Sequence, residues 1–225
     1  MTPVAFAPIL RAAEQRKGGK AALRVLWVTP EAPESLAMVG DDRYLSVMSR
    51  RIFRAGLKHS MVDGRWPAFE AAFSGFDPGV VAHYGDDEMR ALYRNEALIR
   101  HRGKLDAVRE NARALLALAE EAGSMGAWLA GWPSDDVVDL WTALKSRFTQ
   151  LGGQSGPRFL RMAGKDTFLM TDHVAAALDY WGAYSGRISG KRALRTVQDL
   201  FNGWMDETDL PLCQLSQTLA MSVDA

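Results

Sequence analysis

The sequence predicts an all-α protein, and three observations predict it. From Asp41 onward, apolar residues recur at the 3.6-residue spacing that places them on one face of a helix. Patterns typical of strands are scarce, and the segments between the predicted helices are short. The 225 residues are 48% hydrophobic and 24% charged, close to the globular average, so the chain is long enough to bury a core without disulfide or metal cross-links.

Most predicted helices begin at a residue type that helix N-termini favour: a capping side chain, a proline in the first turn, or an acid near the positive end of the dipole. In chain order they begin at Asp41 or Asp42, Trp66 with Pro67 in the first turn, Asp77-Pro78, Asp86, Gly103, Ser134, Pro157, Thr171 or Asp172, and Ser189. The first helix ends near Gly56, and the two longest reach about Ala122 and Thr208.

Residues 1–40 are the least regular part of the sequence. Their clearest pattern is the β-branched run over residues 23–29, ended by Pro30, which fits a short strand or an extended arm. We therefore expect an irregular N-terminal arm over residues 1–40 and a helical domain over residues 41–225, with a helical hairpin near residues 145–163.

The cysteine content and the lack of long apolar runs exclude several classes of protein. Cys213 is the only cysteine, so neither an intrachain disulfide nor a cysteine-rich zinc site is possible, and the chain suits a reducing compartment. No run approaches the ~18 apolar residues of a membrane span. Four charges between Arg11 and Lys17 interrupt the N-terminal segment, which does not resemble a signal peptide. We expect a cytoplasmic protein with no membrane partner.

The charge is segregated along the chain although its total is zero, with 27 basic and 27 acidic residues. Residues 43–65 hold six basic residues and one acid, residues 90–113 hold seven and three, and residues 145–165 hold five and none. Each segment alone fits the solvated face of a helix. If the three segments converge in space, they instead form a surface that faces nucleic-acid phosphates.

Residues 137–163 have the pattern of a helix-hairpin-helix. A helix is followed by the run LGGQSG over residues 151–156 and by a second helix that opens at Pro157. Such a glycine-rich turn exposes backbone N–H groups at a helix N-terminus, where they bind a phosphate without reading sequence. An ordinary turn between two helices, with glycine as the C-terminal cap, fits the same pattern.

Several motifs resemble the DNA-3-methyladenine glycosylase I (Tag) family. The most specific is LIRHRGKL over residues 98–105, which is followed by NARA over residues 111–114. Ala55-Gly56-Leu57 and Phe76-Asp77-Pro78 match in the same order and spacing, and residues 155–174 can be aligned with the family's hairpin and its Asn-Asp-His-Val segment. The resemblance covers roughly residues 40–180, while residues 190–223 resemble a divergent bacterial branch grouped with that family.

The resemblance implies an all-α, helix-hairpin-helix DNA glycosylase fold with two helical lobes. It also implies base excision repair: removal of alkylated purines, chiefly 3-methyladenine, from double-stranded DNA after the damaged nucleotide is flipped out of the duplex. The expected protein is a monomer that needs no cofactor and works at the nucleoid of the bacterial cytoplasm. Since no lysine stands where a Schiff-base nucleophile is needed, we expect hydrolysis without lyase activity.

The sequence departs from the family pattern at the zinc site and in the base pocket. His173 aligns with one zinc-binding histidine, but Ala177 stands where a cysteine is needed and Cys213 is distant in sequence, so no metal is expected. The family's pocket glutamate aligns with Arg51 and its stacking tryptophan with His59. An arginine repels a cationic base, so the resemblance alone does not carry 3-methyladenine specificity over to this chain.

The candidate site residues combine these motifs with the aromatic and basic residues near them. We expect the base pocket to be lined by Tyr44, Arg51, His59 and Trp66, although the aromatic residues also fit helical core stripes. We expect DNA to be contacted by Leu57, as a wedge in the duplex, and by Arg102, Lys104, Gly153, Ser155, Gly156, Arg158 and Arg161. Asp172, one residue past the position of a catalytic aspartate in related glycosylases, is the catalytic candidate and fits a helix N-cap equally.

Three functions remain open on the sequence alone. The leading hypothesis is a glycosylase that hydrolyses the N-glycosidic bond of an alkylated or otherwise damaged purine. The second is a catalytically silent protein of the same fold that binds DNA lesions, which Arg51 and His59 favour. The third is a helical interaction module with no role on DNA, which the zero net charge favours.

Overall fold

The structure is a computed structural model that describes residues 4–224, and it is predominantly helical. Within that range there is no strand, and two short 3₁₀ turns lie at Ser74–Phe76 and Ser134–Asp136. The described residues form fifteen helices: α1 (Phe6–Lys17), α2 (Lys20–Val25), α3 (Pro33–Met38), α4 (Asp41–Arg54), α5 (His59–Gly64), α6 (Trp66–Ala72), α7 (Pro78–Val81), α8 (Asp86–Arg94), α9 (Arg102–Ala122), α10 (Met125–Gly131), α11 (Val137–Arg147), α12 (Ser155–Met162), α13 (Asp172–Tyr180), α14 (Gly190–Thr208) and α15 (Leu212–Met221). None of them is long and apolar enough to span a bilayer.

The all-α prediction is confirmed, and each of the nine predicted helices is present. Their observed starts lie within three residues of the predicted ones. Neither aspartate caps α4: Gly40 is the N-cap, and Asp41 instead accepts the N–H of Met125 at 2.9 Å. Six helices were not predicted, namely α1, α2, α3, α5, α10 and α15.

The prediction of an irregular arm over residues 1–40 is wrong, because that segment contains α1, α2 and α3. Phe6, Ile9 and Ala13 lie on one face of α1 and are fully buried. The first amide of α1 is capped from a distant part of the chain, since the N–H of Phe6 lies 2.9 and 2.8 Å from the two carboxylate oxygens of Glu207. Tertiary contacts stabilise this segment, and its own sequence carries no sign of them.

Residues 23–29 form neither a strand nor a free arm. α2 covers the first half of this run, and the extended residues that follow are bound by side chains of α15. The N–H of Val28 donates to Gln217 Oε1 at 2.8 Å, and the indole N–H of Trp27 donates to Thr218 Oγ1 at 2.9 Å. The helix α15 therefore binds the segment for which the β-branched composition predicted a short strand or an extended arm.

The chain divides into two compact units, as the predicted two lobes require. The terminal unit is formed by Met1–Glu31, Pro133–Leu140 and Asp166–Ala225, and the central unit by Ala32–Trp132 and Trp141–Lys165. This division differs from the predicted arm and domain, since α1 and α2 group with the C-terminal helices. α11 begins in the terminal unit and ends in the central unit.

Aromatic packing and one carboxylate hold the terminal unit together. The ring of Phe201 stacks on Phe168 with 4.7 Å between centroids and meets Trp204 edge-on at 5.3 Å. Asp166 accepts the N–H groups of the first two residues of α15, both at 2.9 Å. A carboxylate at this end of a helix satisfies orphan amides and complements the helix dipole.

In the central unit, α9 is the helix around which the others are arranged. It packs against α4, α7, α8 and α10. Leu105, Ala112 and Leu115 lie on its buried face and are fully covered. On its other side, Arg113 donates to the carbonyl oxygen of Ala82 at 2.8 Å and so holds the end of α7.

The predicted hairpin consists of α11, a turn and α12, and α9 holds the turn. Asn111 is fully buried; its Nδ2 donates to the carbonyl oxygen of Thr149 at 3.1 Å, and its Oδ1 accepts the Thr149 N–H at 2.7 Å. Gln150, which has a left-handed φ of 64°, donates from Nε2 to the carbonyl oxygen of Gly103 at 2.6 Å. The turn is therefore tied to both the start and the middle of α9.

Replacing Asn111 by alanine is expected to lower the free energy of unfolding by about 2 kcal/mol, because two backbone groups of Thr149 lose their partner. Urea unfolding followed by circular dichroism measures the change. Glu110→Ala is the matched control: Glu110 is exposed and accepts only the Thr149 hydroxyl, at 2.8 Å, so the expected loss is below about 0.5 kcal/mol. Equal losses in the two variants would show that Asn111 does not hold the turn.

Candidate nucleic-acid interface and base pocket

All three basic segments of the sequence belong to the central unit. This unit holds 18 of the 27 basic residues and 14 of the 27 acidic residues, so its formal net charge is +4 and that of the terminal unit is −4. The segments meet because α4 packs against both α9 and α12. The central unit is therefore the part of the chain whose charge suits a nucleic acid.

Most arginines of these segments are nevertheless bound within the central unit. Asp63 forms ion pairs with Arg50 at 2.9 Å and with Arg54 at 2.6 Å. The hydrogen bond from Arg54 holds the pKa of the Asp63 carboxyl below its usual value. Other arginines bind acids or backbone carbonyls in the same way: Arg43, Arg65, Arg90, Arg100, Arg109, Arg113 and Arg147. Fewer cations are left for phosphates than the sequence suggests.

Arg51 is the exception on α4. Its side chain is 8% exposed, its Nε is buried without an acceptor, and residues 4–224 offer it neither a hydrogen bond nor an ion pair. Burial, followed by the charges of Arg158 and Arg54, lowers the pKa of this guanidinium. A desolvated cation among other cations destabilises a fold unless something supplies acceptors.

The prediction that Lys104 contacts DNA is wrong, because its ammonium is buried and closes the end of α4. The side chain donates from Nζ to the carbonyl oxygens of Ala55 at 2.6 Å and Phe53 at 3.3 Å. The last carbonyls of a helix have no donor in their own helix, and a lysine supplies one here. Burial, and then the charge of Arg51, lowers the pKa of Lys104.

The two residues before Gly103 open α9 in different ways. His101 is the N-cap, and its Nδ1 accepts the N–H of Lys104 at 3.3 Å. Arg102 is exposed, and its guanidinium lies over the ring of Tyr93, 4.5 Å from the centroid. Arg102 therefore stays a candidate contact for DNA.

Tyr44 and Trp66, predicted to stack on a base, belong to the core of the central unit. Tyr44 is 1% exposed, and its hydroxyl donates to the carbonyl oxygen of Leu36 at 2.7 Å; burial raises its pKa to about 12. Trp66 stacks on Phe69 at 5.0 Å and on Phe76 at 5.4 Å between ring centroids. The alternative interpretation, a helical core stripe, is correct for both, because these rings lie on the buried faces of the helices that carry them.

Leu57 and His59 follow the end of α4, close in sequence to Arg51. Gly56 turns the chain with a left-handed φ of 75°, a conformation that glycine adopts without strain. Leu57 is half-buried, and His59 is exposed at the start of α5. Both side chains are accessible, and their roles as wedge and pocket residue stay predictions.

The two predicted phosphate-binding glycines of the hairpin turn differ in exposure, since Gly156 is buried. Gly153 is exposed with a φ of 57°, and open space surrounds the position of a Cβ atom. A Cβ on Gly156 would lie 2.9 Å from the carbonyl oxygen of Leu151, so only glycine fits there. Ser155 is the first residue of α12, and Arg158 and Arg161 are half-buried in the same helix.

Asp172 lies in the first turn of α13, within the terminal unit, whereas the predicted pocket residues all belong to the central unit. It is exposed and is not the N-cap. Thr171 has that role, since its Oγ1 accepts the N–H of Val174 at 3.2 Å. The carboxylate of Asp172 is therefore not used as a cap, and its catalytic role stays a prediction.

His173 and Ala177, the two residues aligned with the zinc site, both lie in α13 of the terminal unit, and Cys213 lies in α15. His173 is exposed and Ala177 is buried in α13, and Cys213 is buried in α15. Among the residues that the structure describes, no group of three or more histidines, cysteines or acids is placed to hold a metal ion.

A family model described as methyladenine glycosylase matches residues 36–150, which is just over half of the chain. DNA-3-methyladenine glycosylase of Haemophilus influenzae is 38% identical over 65 residues, and DNA-3-methyladenine glycosylase 1 of Escherichia coli is 36% identical over 67 residues. These segments are 29% and 30% of this chain and 35% and 36% of the relatives. The chain thus spans about a third of the length of the curated relatives it matches.

Solved structures share the fold over more of the chain. A 3-methyladenine DNA glycosylase I from Staphylococcus aureus is 22% identical, with a TM-score of 0.52 over 76% of this chain and 95% of that one. An 8-oxoguanine glycosylase/lyase from Methanocaldococcus jannaschii, in complex with DNA containing 8-oxoguanine, is 13% identical, with a TM-score of 0.52 over 94% of both chains. At these identities the likeness confirms the helix-hairpin-helix glycosylase fold. With the family model covering α4 to α11, the chain belongs to the methyladenine glycosylase family.

Proposed function

We propose that this protein is a monofunctional DNA glycosylase of base excision repair, which hydrolyses the N-glycosidic bond of an alkylated or otherwise damaged purine in double-stranded DNA. The observation that carries the proposal is membership of the methyladenine glycosylase family over residues 36–150. The net charge of the central unit supports it, because duplex DNA is bound mainly through its phosphates. In this role the protein acts as a monomer at the nucleoid of the bacterial cytoplasm, without a cofactor.

Phosphate binding is assigned to the hairpin turn and to the cations near it. The amides of Gly153 and Gly156 have no acceptor among residues 4–224, and Arg158 follows in α12. Amides at a helix N-terminus, together with a guanidinium, bind a phosphate without reading the base. Arg102 and Arg161 are the further cations of this proposed interface.

Hydrolysis requires a flipped nucleotide, a water molecule and a group that takes a proton. The bond between C1′ and N9 breaks with its electron pair leaving on the purine, while the water oxygen bonds to C1′ and its proton passes to a base. Asp172 is the proposed acceptor of that proton, because its carboxylate is exposed and not used as a cap.

Base release from damaged genomic DNA tests the proposal, with the products identified by mass. Two substrates are compared: DNA treated with a methylating agent, and DNA deaminated with nitrous acid. The purified protein is expected to release a damaged purine from at least one, and Asp172→Asn is expected to release it about 100-fold more slowly. Duplex binding that weakens steeply with salt, without release of any base, would contradict the proposal and favour a silent lesion binder.

A pair of variants at Gly153 tests the phosphate site. Asn and Asp both tolerate a left-handed φ and fit the open space there, so Gly153→Asn and Gly153→Asp differ only in charge. Gly153→Asp is expected to weaken duplex binding about tenfold at low salt, because a carboxylate repels the phosphate. Fluorescence anisotropy measures the affinity. If the two variants bind DNA equally well, the turn is not a phosphate site.

Restoring the family's residues tests the alignment of the pocket. Arg51→Glu combined with His59→Trp is expected to raise release of 3-methyladenine by about tenfold, because a carboxylate attracts the cationic base and an indole has more stacking area. Each single variant serves as a control, and circular dichroism checks the fold. Unchanged release by a folded double variant would show that Arg51 and His59 do not line the pocket.

A further inference from the structure

The guanidinium of Arg51 lacks the acceptors that a buried arginine needs. The residue as a whole is 8% exposed, its Nε is buried without an acceptor, and no residue from 4 to 224 binds its guanidinium. Arginine presents five N–H donors in a rigid, planar fork, so two acceptors side by side fit it best. The site is therefore completed by a ligand that brings such a pair.

We propose that Arg51 binds O6 and N7 of an uncharged 6-oxopurine, so that the substrate of this glycosylase is a deaminated purine such as hypoxanthine. The inference rests on the proposed function and names the base that its pocket takes. Arginine binds this pair of atoms in guanine-type bases through two parallel hydrogen bonds. 3-Methyladenine has an amino donor in place of O6, and its nucleotide carries a positive charge. Arg51 disfavours both, because its guanidinium only donates hydrogen bonds and is itself positive.

The charges around Arg51 also exclude a cationic base. Arg158 and Arg54 lie close enough to lower its pKa, after burial itself. Asp63, the acid bound to this end of α4, is already shared by Arg54 and a second arginine. The ammonium of Lys104 adds a further positive charge nearby, held by two backbone carbonyls. The environment of Arg51 is thus positive before any ligand enters, and it favours acceptors over donors.

The exposure of a cation distinguishes a contact to a flipped base from a contact to a phosphate. The phosphates lie on the outside of a duplex, where exposed cations such as Lys58, Arg102 and Lys145 can reach them. Arg51 as a residue is 8% exposed, and a flipped nucleotide, whose base leaves the stack and enters the protein, suits such a position better than a phosphate does. Arg51 is therefore assigned to the base.

Contact with O6 and N7 also assists cleavage of the bond. As C1′–N9 breaks, its electron pair enters the purine and increases the negative charge on O6 and N7. The water oxygen bonds to C1′, and its proton passes to solvent. Two fixed N–H donors stabilise the developing charge where little water competes. A neutral base needs this assistance, whereas a cationic alkylpurine is already a good leaving group.

The test compares a duplex oligonucleotide containing one hypoxanthine with methylated DNA containing 3-methyladenine, both under single-turnover conditions. The wild-type protein is expected to release hypoxanthine at least about tenfold faster than 3-methyladenine. Arg51→Met is expected to lose about 100-fold in hypoxanthine release. Its melting temperature stays equal or rises, because methionine removes an unpaired buried charge. Arg51→Lys keeps the charge without the fork and is expected to resemble the methionine variant.

Arg50→Met is the matched control, since Arg50 lies on the same helix but is already paired with Asp63. Its hypoxanthine release is expected to stay within about threefold of the wild type. Release of 3-methyladenine without hypoxanthine by the wild-type protein would overturn the inference and leave the proposed function standing. Release of neither base would also overturn the inference, and the proposed function would then depend on release of another damaged purine from genomic DNA. If Arg51→Met instead weakens binding to undamaged duplex and lowers its salt dependence by one phosphate, Arg51 contacts the backbone and the inference fails.

Discussion

The central unit depends on the way in which the start of α9 closes the end of α4. The last carbonyl groups of a helix lack donors, and here the buried ammonium of Lys104 supplies two hydrogen bonds to them. One of these bonds is buried and the other partly buried, and together they tie the start of α9 to the end of α4. The same helix holds the hairpin turn through Asn111, fully buried and bonded twice to Thr149. One helix thus sets the positions of both Arg51 and the proposed phosphate site.

Most residues of the Arg-His-Arg-Gly-Lys motif therefore have a structural role. His101 caps α9, Gly103 offers its carbonyl to the hairpin turn, and Lys104 closes α4. Arg102 is exposed, lies over the ring of Tyr93 and stays a candidate contact for DNA. The motif that most resembles a DNA-repair family is therefore the one that holds the family's fold, and only part of it is accessible to a ligand. Counting the basic residues of this motif in the sequence overestimates the number of cations that are available to phosphates.

Local signals in the sequence were sufficient for nine helices, because caps, prolines and apolar spacing act within a few residues. They failed where a distant residue completes an element: α1 is capped by Glu207, and the segment after α2 is bound by α15. They also failed for Tyr44 and Trp66, since apolar periodicity shows that a ring lies on the buried face but not whether a pocket lies there. The lack of a partner for Arg51 depends on which side chains of α4, α9 and α12 surround it, and it has no sequence signal beyond the alignment of Arg51 with a pocket position.

An unpaired buried arginine says something about function because the fold does not require it. The other arginines of α4 all form ion pairs with acids: Arg43 binds Glu70, and Arg50 and Arg54 share Asp63. The chain therefore supplies a carboxylate wherever an arginine of this helix has a structural role, and it supplies none at Arg51. Methionine would occupy similar space without the cost of desolvating a charge. Departures of this kind from local rules concentrate at functional sites, where the missing partner comes from a ligand. In the proposed glycosylase function, the ligand that enters a buried site is the flipped base itself.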